Sequence, residues 1–211
     1  MTEIKICGIT DIAEIDWLNE AHVDYAGFVF YQKSKRYIPI AEAQKIARKL
    51  DSEIKKVAVT VSPDPVLAAQ IQDAGFHILQ IHGEFAEGLE ENIQIPIWRA
   101  INLSGVEELK RLESSLPPWV SGVLVDAGDF GSGRTFGWDQ TAPDITFRGS
   151  MAKRGSKFIL AGGLDSENVA DGIHLFHPDV VDVSSGVSMP GDVRKSRERI
   201  FAFCDAARSV E

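Results

Sequence analysis

Cysteine is scarce in this chain. Only Cys7 and Cys204 occur among 211 residues, at opposite ends. Two thiols so placed give no disulfide framework and no metal-ligand spacing. No apolar run approaches the roughly 20 residues of a membrane-spanning helix, and the N-terminus carries no apolar signal segment. Linkers, low-complexity segments and shifts of composition are missing too. Positive charge is in deficit: 22 Lys and Arg against 31 Asp and Glu leave a formal net charge of −9. Such a surface repels nucleic acid and anionic lipid, so neither nucleic acid nor membrane is expected as a partner. An anionic substrate would need a local positive site built against the overall field. These absences leave a reduced, cytoplasmic enzyme or binding protein. A content of 44% hydrophobic and 25% charged residues is ordinary for a globular fold, and the length suits one domain of good size or two small ones.

What is present is a repeated alternation. Short runs rich in Val and Ile read as strands: IKIC (4–7), YAGFVF (25–30), KVAVTV (56–61), HILQIH (77–82), IPIWRAI (95–101), GVLVDA (122–127), KFILAG (157–162) and DVVDVSS (179–185). Between them lie stretches of helical period. AEAQKIARKL (41–50) is the clearest; DPVLAAQIQDAGF (64–76) opens on an Asp cap with Pro at the first helical position. SGVEELKRLESS (104–115) has acidic residues in its first turn, and DSENVADGIHLF (165–176) starts with Asp and Ser. Strand followed by helix throughout predicts a parallel sheet with helical crossovers. An open doubly wound sheet is the alternative, but the first strand–helix turn lacks G-x-G-x-x-G. Eight units in one chain of this length favour closure into a single α/β domain, a (β/α)8 barrel over residues 1–211.

Function in such a barrel sits at the C-terminal strand ends. Side chains there alternate between the interior and the helix layer. Leu79 and Ile81 should meet helices, which turns Gln80 and His82 inward. Lys5 and Cys7 share a face, as do Leu124 and Asp126, and Asp182 and Ser184. Arg99, set opposite Trp98 and Ala100, is expected to join them. Taken singly, Cys7 reads as a buried small hydrophobe, and Lys5 or Arg99 as a partner that neutralises Asp126 or Asp182. Cys204, on the last helix, reads as structural. It is the convergence of polar groups on one end that points to a site. Two glycine loops, LAGGLD (160–165) and SSGVSMPG (184–191), follow the seventh and eighth strands. Their backbone N–H groups suit a phosphate, so a small phosphorylated molecule is the expected ligand. DAGDFGSGRTFGWD (126–139) reads as a lid. Arg36 in SKRYI (34–38) suits a carboxylate gripped in bidentate fashion.

In this order KICGIT, GFVF with SKRYI, QIHG, VDA with GSGRTFGWD, LAGGLDSENV and VDVSSGV with its PG resemble the phosphoribosylanthranilate isomerase family of tryptophan biosynthesis, over residues 4 to about 191. The resemblance implies an Amadori rearrangement of N-(5-phosphoribosyl)anthranilate without cofactor or metal. It implies Cys7 as general base and Asp126 as general acid. Arg36 would hold the anthranilate carboxylate, and Gly162, Gly163, Ser185 and Gly186 the phosphate. A monomer or a homodimer is the expected assembly. The chain departs from the family pattern at Lys35, Gly137 and Ser188, where Pro, Asp and Glu are usual; Cys7, Arg36 and Asp126 are kept. A histidine-pathway isomerase of the same reaction type would be expected to carry Asp where Cys7 stands, and a non-catalytic binding protein would tolerate loss of Cys7 or Asp126.

Overall fold

The β-branched and apolar runs form strands wherever both faces can be covered, as parallel sheets require. In the computed structural model, which describes residues 1–102, 115–126 and 145–210, these are β1 (Glu3–Cys7), β2 (Tyr25–Val29), β3 (Lys55–Val61), β4 (Ile78–His82), β5 (Ile97–Asn102), β6 (Val120–Asp126), β7 (Lys157–Ala161) and β8 (Val180–Val183). Each pairs in parallel with the next, and β8 returns to β1, closing an eight-stranded barrel. The register sets Cys7 beside Gly27 and Lys5 beside Asp182. The expected strands all appear, within about two residues at their ends.

Among the described residues the helices are α1 (Ile12–Glu20), α2 (Ile40–Ala47), α3 (Pro65–Asp73), α4 (Leu89–Asn92), α5 (Ile145–Arg154), α6 (Val169–Phe176) and α7 (Arg197–Arg208). Asp64 caps α3 by accepting from the Leu67 N–H at 2.7 Å. Between β1 and β2, where no helical stretch is singled out above, α1 opens on a capping box of Asp11 and Glu14. α6 starts later than Asp165 suggests. Asp165 Oδ1 instead accepts from the N–H groups of Glu167 and Asn168, making a turn ahead of the helix. Of the expected helix over 104–115 and the expected lid over 126–139, residues 104–114 and 127–139 lie outside the described residues.

Strand alternation sorts the apolar side chains into two clusters. Ile4, Ile6, Leu79, Ile81, Val123, Val125, Phe158, Leu160 and Val181 face the helices. Tyr25, Val57, Ile78, Trp98, Leu124, Ile159 and Val180 fill the barrel interior with Cys7. Tyr25 and Trp98 meet edge to face at 5.1 Å and occupy the lower interior. The upper interior holds polar groups beside Val59, Leu124 and Ala161. No helix among the described residues is long and apolar enough to cross a membrane.

Candidate active site

A cavity of about 470 Å³ opens at the C-terminal ends of the strands. Cys7, Arg36, Gln80, His82, Asp126, Gly162, Gly163, Asp182, Ser184 and Ser185 all line it. Gly186 is the expected site residue absent from the lining. Its Cα instead packs against the neighbouring loop, where an added Cβ would lie 2.0 Å from the Leu164 carbonyl oxygen. The glycine thus lets the loops after β7 and β8 touch. Arg99 also departs from expectation. Trp98 and Ala100 take the inward positions, so parity turns Arg99 out. There it donates to the Gly83 carbonyl and lies 4.7 Å from the Phe85 ring.

The local sequence around Cys7 explains its setting. An added Cβ at Gly27 would come within 2.9 Å of Cys7 Sγ, so the glycine of GFVF makes room for the thiol. Gly8 adopts φ +80°, and a Cβ there would fall 2.4 Å from Arg36 Cδ. The glycine of KICG therefore turns the chain and lets Arg36 cross above it. Arg36 N donates to Ser34 Oγ at 3.1 Å, whereas its buried Nε has no hydrogen-bond partner. Ser184 Oγ donates to the Cys7 carbonyl at 2.9 Å, tying β8's end to β1's.

Beneath the cavity Lys5 is fully buried and pairs with Asp182 at 2.9 Å. Asp182 is one of its two expected partners. Burial alone would pull the Lys5 ammonium down, but Asp182 and then Cys7 outweigh it and the pKa rises. For Cys7 burial dominates and pushes the thiol up. Lys5 and Lys195 pull the other way, Asp182 reinforces the rise, and the resting side chain is a neutral thiol. His82 is pushed down to about 4 by burial, then by Lys5 and Arg99, so its imidazole is neutral at physiological pH. Gln80 Nε2 lies 3.1 Å from His82 Nε2. With the amide donating, His82 carries its proton on Nδ1.

Cys7 and Asp126 end β1 and β6. They are separated by β7 and β8 round the ring, so they face each other obliquely across the mouth rather than diametrically. After β7, Gly162 and Gly163 take φ of 91° and 67°, and Asn168 Nδ2 fastens the Gly163 carbonyl at 2.9 Å. After β8, Ser185–Val187 form one turn of 3-10 helix. Tyr31, Lys33, Ser34 and Thr60 also line the cavity, and Lys195 lies buried behind it. None of these five is among the residues expected to form the site. Tyr31, Lys33 and Ser34 were visible as the loop directly after a strand. Lys195 gave no signal, being a lysine in a charged stretch far along the chain. Cys204 is buried in the helix layer, its thiol pushed up to about 11 by burial.

The family model described as N-(5'phosphoribosyl)anthranilate (PRA) isomerase matches residues 4–206. The N-(5'-phosphoribosyl)anthranilate isomerase of Streptococcus mutans is 35% identical over 209 residues, covering 99% of this chain and all of that protein. The phosphoribosyl anthranilate isomerase of Thermotoga maritima superposes with a TM-score of 0.83 at 32% identity, over 99% of this chain and 100% of that one. A phosphoribosyl anthranilate isomerase crystallised with reduced 1-(o-carboxyphenylamino)-1-deoxyribulose 5-phosphate gives 0.82 at 31%, over 99% and 100%. A match spanning both the barrel and every strand end that lines the cavity establishes that the chain belongs to the N-(5'-phosphoribosyl)anthranilate isomerase family of aldose–ketose isomerases.

Proposed function

We propose that the chain converts N-(5-phosphoribosyl)anthranilate to 1-(2-carboxyphenylamino)-1-deoxyribulose 5-phosphate, as a one-domain cytoplasmic enzyme, with Asp126 as general acid and Cys7 as general base. The observation that carries this reading is the shared cavity. It brings together the carboxyl of Asp126, the thiol of Cys7, the guanidinium of Arg36 and the two loops after β7 and β8, and the ligand named in the related complex carries both a carboxylate and a phosphate.

Asp126 protonates the furanose ring oxygen as the C1–O bond breaks and the anilino nitrogen's lone pair forms the C=N bond. The resulting iminium acidifies the C2 hydrogen. Cys7, as thiolate, takes that proton, and the electron pair moves to give an enolamine. Tautomerisation then yields the ketone at C2. Every step moves a proton within one substrate, so the chemistry calls for no redox partner. Well-placed acids and bases each contribute about 10²- to 10⁴-fold. Because burial holds Cys7 as a thiol, the reactive fraction is the small thiolate population. That population grows with pH and is favoured by Lys5. Arg36 suits the anthranilate carboxylate through two parallel N–H bonds. Gly162, Gly163, Ser185 and the turn that Gly186 permits suit the phosphate, with Gln80, His82, Asp182 and Ser184 around the ribose.

The test is a fluorescence assay of phosphoribosylanthranilate, made in situ from anthranilate and followed as it disappears. Wild type should consume it rapidly, and Cys7→Ser and Asp126→Asn should each lose about a hundredfold or more. An inactive wild type refutes the reaction; an unimpaired Cys7→Ser refutes the base.

A further inference from the structure

Lys195, between β8 and α7, is completely buried. Its Nζ donates to the Ser184 carbonyl at 3.0 Å and reaches Ser184 Oγ at 3.4 Å and Ser188 Oγ at 3.5 Å. Its backbone N–H donates to Glu14 Oε1 at 2.7 Å. The ammonium itself makes no ion pair with any carboxylate among the described residues. A buried cation without a contacting counter-ion is costly to keep. The charged and titratable groups facing it are Arg36 from the loop after β2, Cys7 from β1, Glu14 from α1 and Asp182 from β8. Burial first and Arg36 second draw its pKa down to about 8, against Cys7, Glu14 and Asp182. It remains largely charged at neutral pH.

The peptide between Ser184 and Ser185 links this charge to the cavity. In a trans peptide the carbonyl and the following N–H point in opposite directions. No cis bond occurs among the described residues. With the Ser184 carbonyl fixed on Lys195, the Ser185 N–H is directed away from the ammonium. It belongs to the first residue of a 3-10 turn, which leaves it without a partner inside that turn, and Ser185 lines the cavity.

Building on the proposed function, we infer that Lys195 is a positioning residue for the ligand's phosphate. It fixes the Ser184–Ser188 turn from behind and conveys positive charge through the Ser184–Ser185 peptide to a phosphate it does not touch.

Binding separates this role from plain support of the loop. Reduced 1-(o-carboxyphenylamino)-1-deoxyribulose 5-phosphate and its dephosphorylated counterpart would be titrated by fluorescence against wild type, Lys195→Met, Lys195→Arg and Ser188→Asp. Lys195→Met should weaken the phosphorylated analogue about tenfold and leave the other unchanged. Lys195→Arg should recover most of the loss. Ser188→Asp keeps the lysine but gives it a carboxylate, and should weaken the phosphorylated analogue alone; it decides the matter if Lys195→Met does not fold. Wild-type affinity for the phosphorylated analogue should fall as pH rises through about 8, where a phosphate monoester is already doubly ionised, and Lys195→Met should lack that limb. Equal affinity in Lys195→Met and Ser188→Asp, or equal losses for both analogues, overturns the inference alone. A wild type that fails to isomerise its substrate overturns the proposed reaction instead, because binding is read separately.

Discussion

Lys5→Met is the perturbation with the largest calculable effect. Lys5 Nζ and Asp182 Oδ1 lie 2.9 Å apart with exposures of 0% and 8%. At an effective dielectric of about 20, Coulomb's law gives an attraction of about 6 kcal/mol. Desolvation offsets part of it, and removing one partner of a buried pair costs about 3 to 5 kcal/mol. Methionine retains most of the volume, so little of the loss is a cavity. The folded-state pKa of Lys5 is raised above 10.5. Its contribution is therefore fully present below that value and is lost only as pH rises through the folded-state pKa. Urea unfolding of Lys5→Met should show the same deficit at every pH from about 6 to 9. The variant also removes the strongest group favouring the Cys7 thiolate. Alkylation of Cys7 by iodoacetamide, followed by peptide mass spectrometry to separate it from Cys204, should move to higher pH. Each unit of that move removes about tenfold of the thiolate, and of the rate if Cys7 is the base. Stability within about 1 kcal/mol of wild type, together with an unmoved alkylation profile, would refute both halves of the reasoning.

Gly27→Ala should place a methyl group 2.9 Å from Cys7 Sγ; we expect a loss of about 1 to 3 kcal/mol in denaturant unfolding and a fall in kcat larger than the change in KM. Gly186→Ala drives a Cβ to 2.0 Å from the Leu164 carbonyl, so it should raise KM by separating the loops after β7 and β8, seen in steady-state kinetics. His82, whose pKa falls from 6.5 to about 4, favours the folded state while neutral. That contribution is fully present above about pH 6.5 and is lost as pH falls through about 4. It amounts to roughly 3 kcal/mol, and in His82→Gln this part of the acid sensitivity should vanish from urea titrations between those values. Asp11→Ala removes the α1 cap and should cost about 1 kcal/mol without changing kcat, read by thermal unfolding and the fluorescence assay.

The barrel was legible because each strand is a short run rich in β-branched residues and stretches of helical period and N-terminal caps lie between several of them. Parity then placed Cys7, Gln80, His82, Asp126 and Asp182 inward. The same rule failed at Arg99, because it assumes that apolar residues seek the helices. Trp98 instead fills the lower barrel interior against Tyr25, which an isolated strand cannot reveal. Gly186 was expected at the phosphate from the family resemblance; its role as a contact between loops depends on the approach of Leu164, a tertiary fact. Lys195 was invisible for the same reason: a lysine between β8 and α7 reads as solvated until the loop folds over it.

The charge balance explains why these buried cations are kept. A chain of net charge −9 repels a ligand that carries both a phosphate and a carboxylate, unless the cavity reverses the field locally. Lys5 cannot do this alone, since Asp182 neutralises it at contact distance. Arg36 and Lys195 make no ion pair among the described residues, and each lowers the cost of bringing an anion close to the other. Positive potential is therefore contributed from distant parts of the chain: Arg36 over Gly8 in the loop after β2, with Lys33 in the same loop at the cavity wall, and Lys195 behind Ser184 in the loop after β8. Like charges facing one site repel, as the downward pull of Arg36 on the Lys195 pKa reflects, and are relieved when an anion binds, so the protein should gain stability from ligand beyond that expected of an uncharged pocket. Raising the salt from about 10 mM to about 500 mM should weaken binding of the phosphorylated analogue strongly in wild type and far less in Lys195→Met. Equal salt dependence in the two proteins would show that the field at the mouth comes from elsewhere.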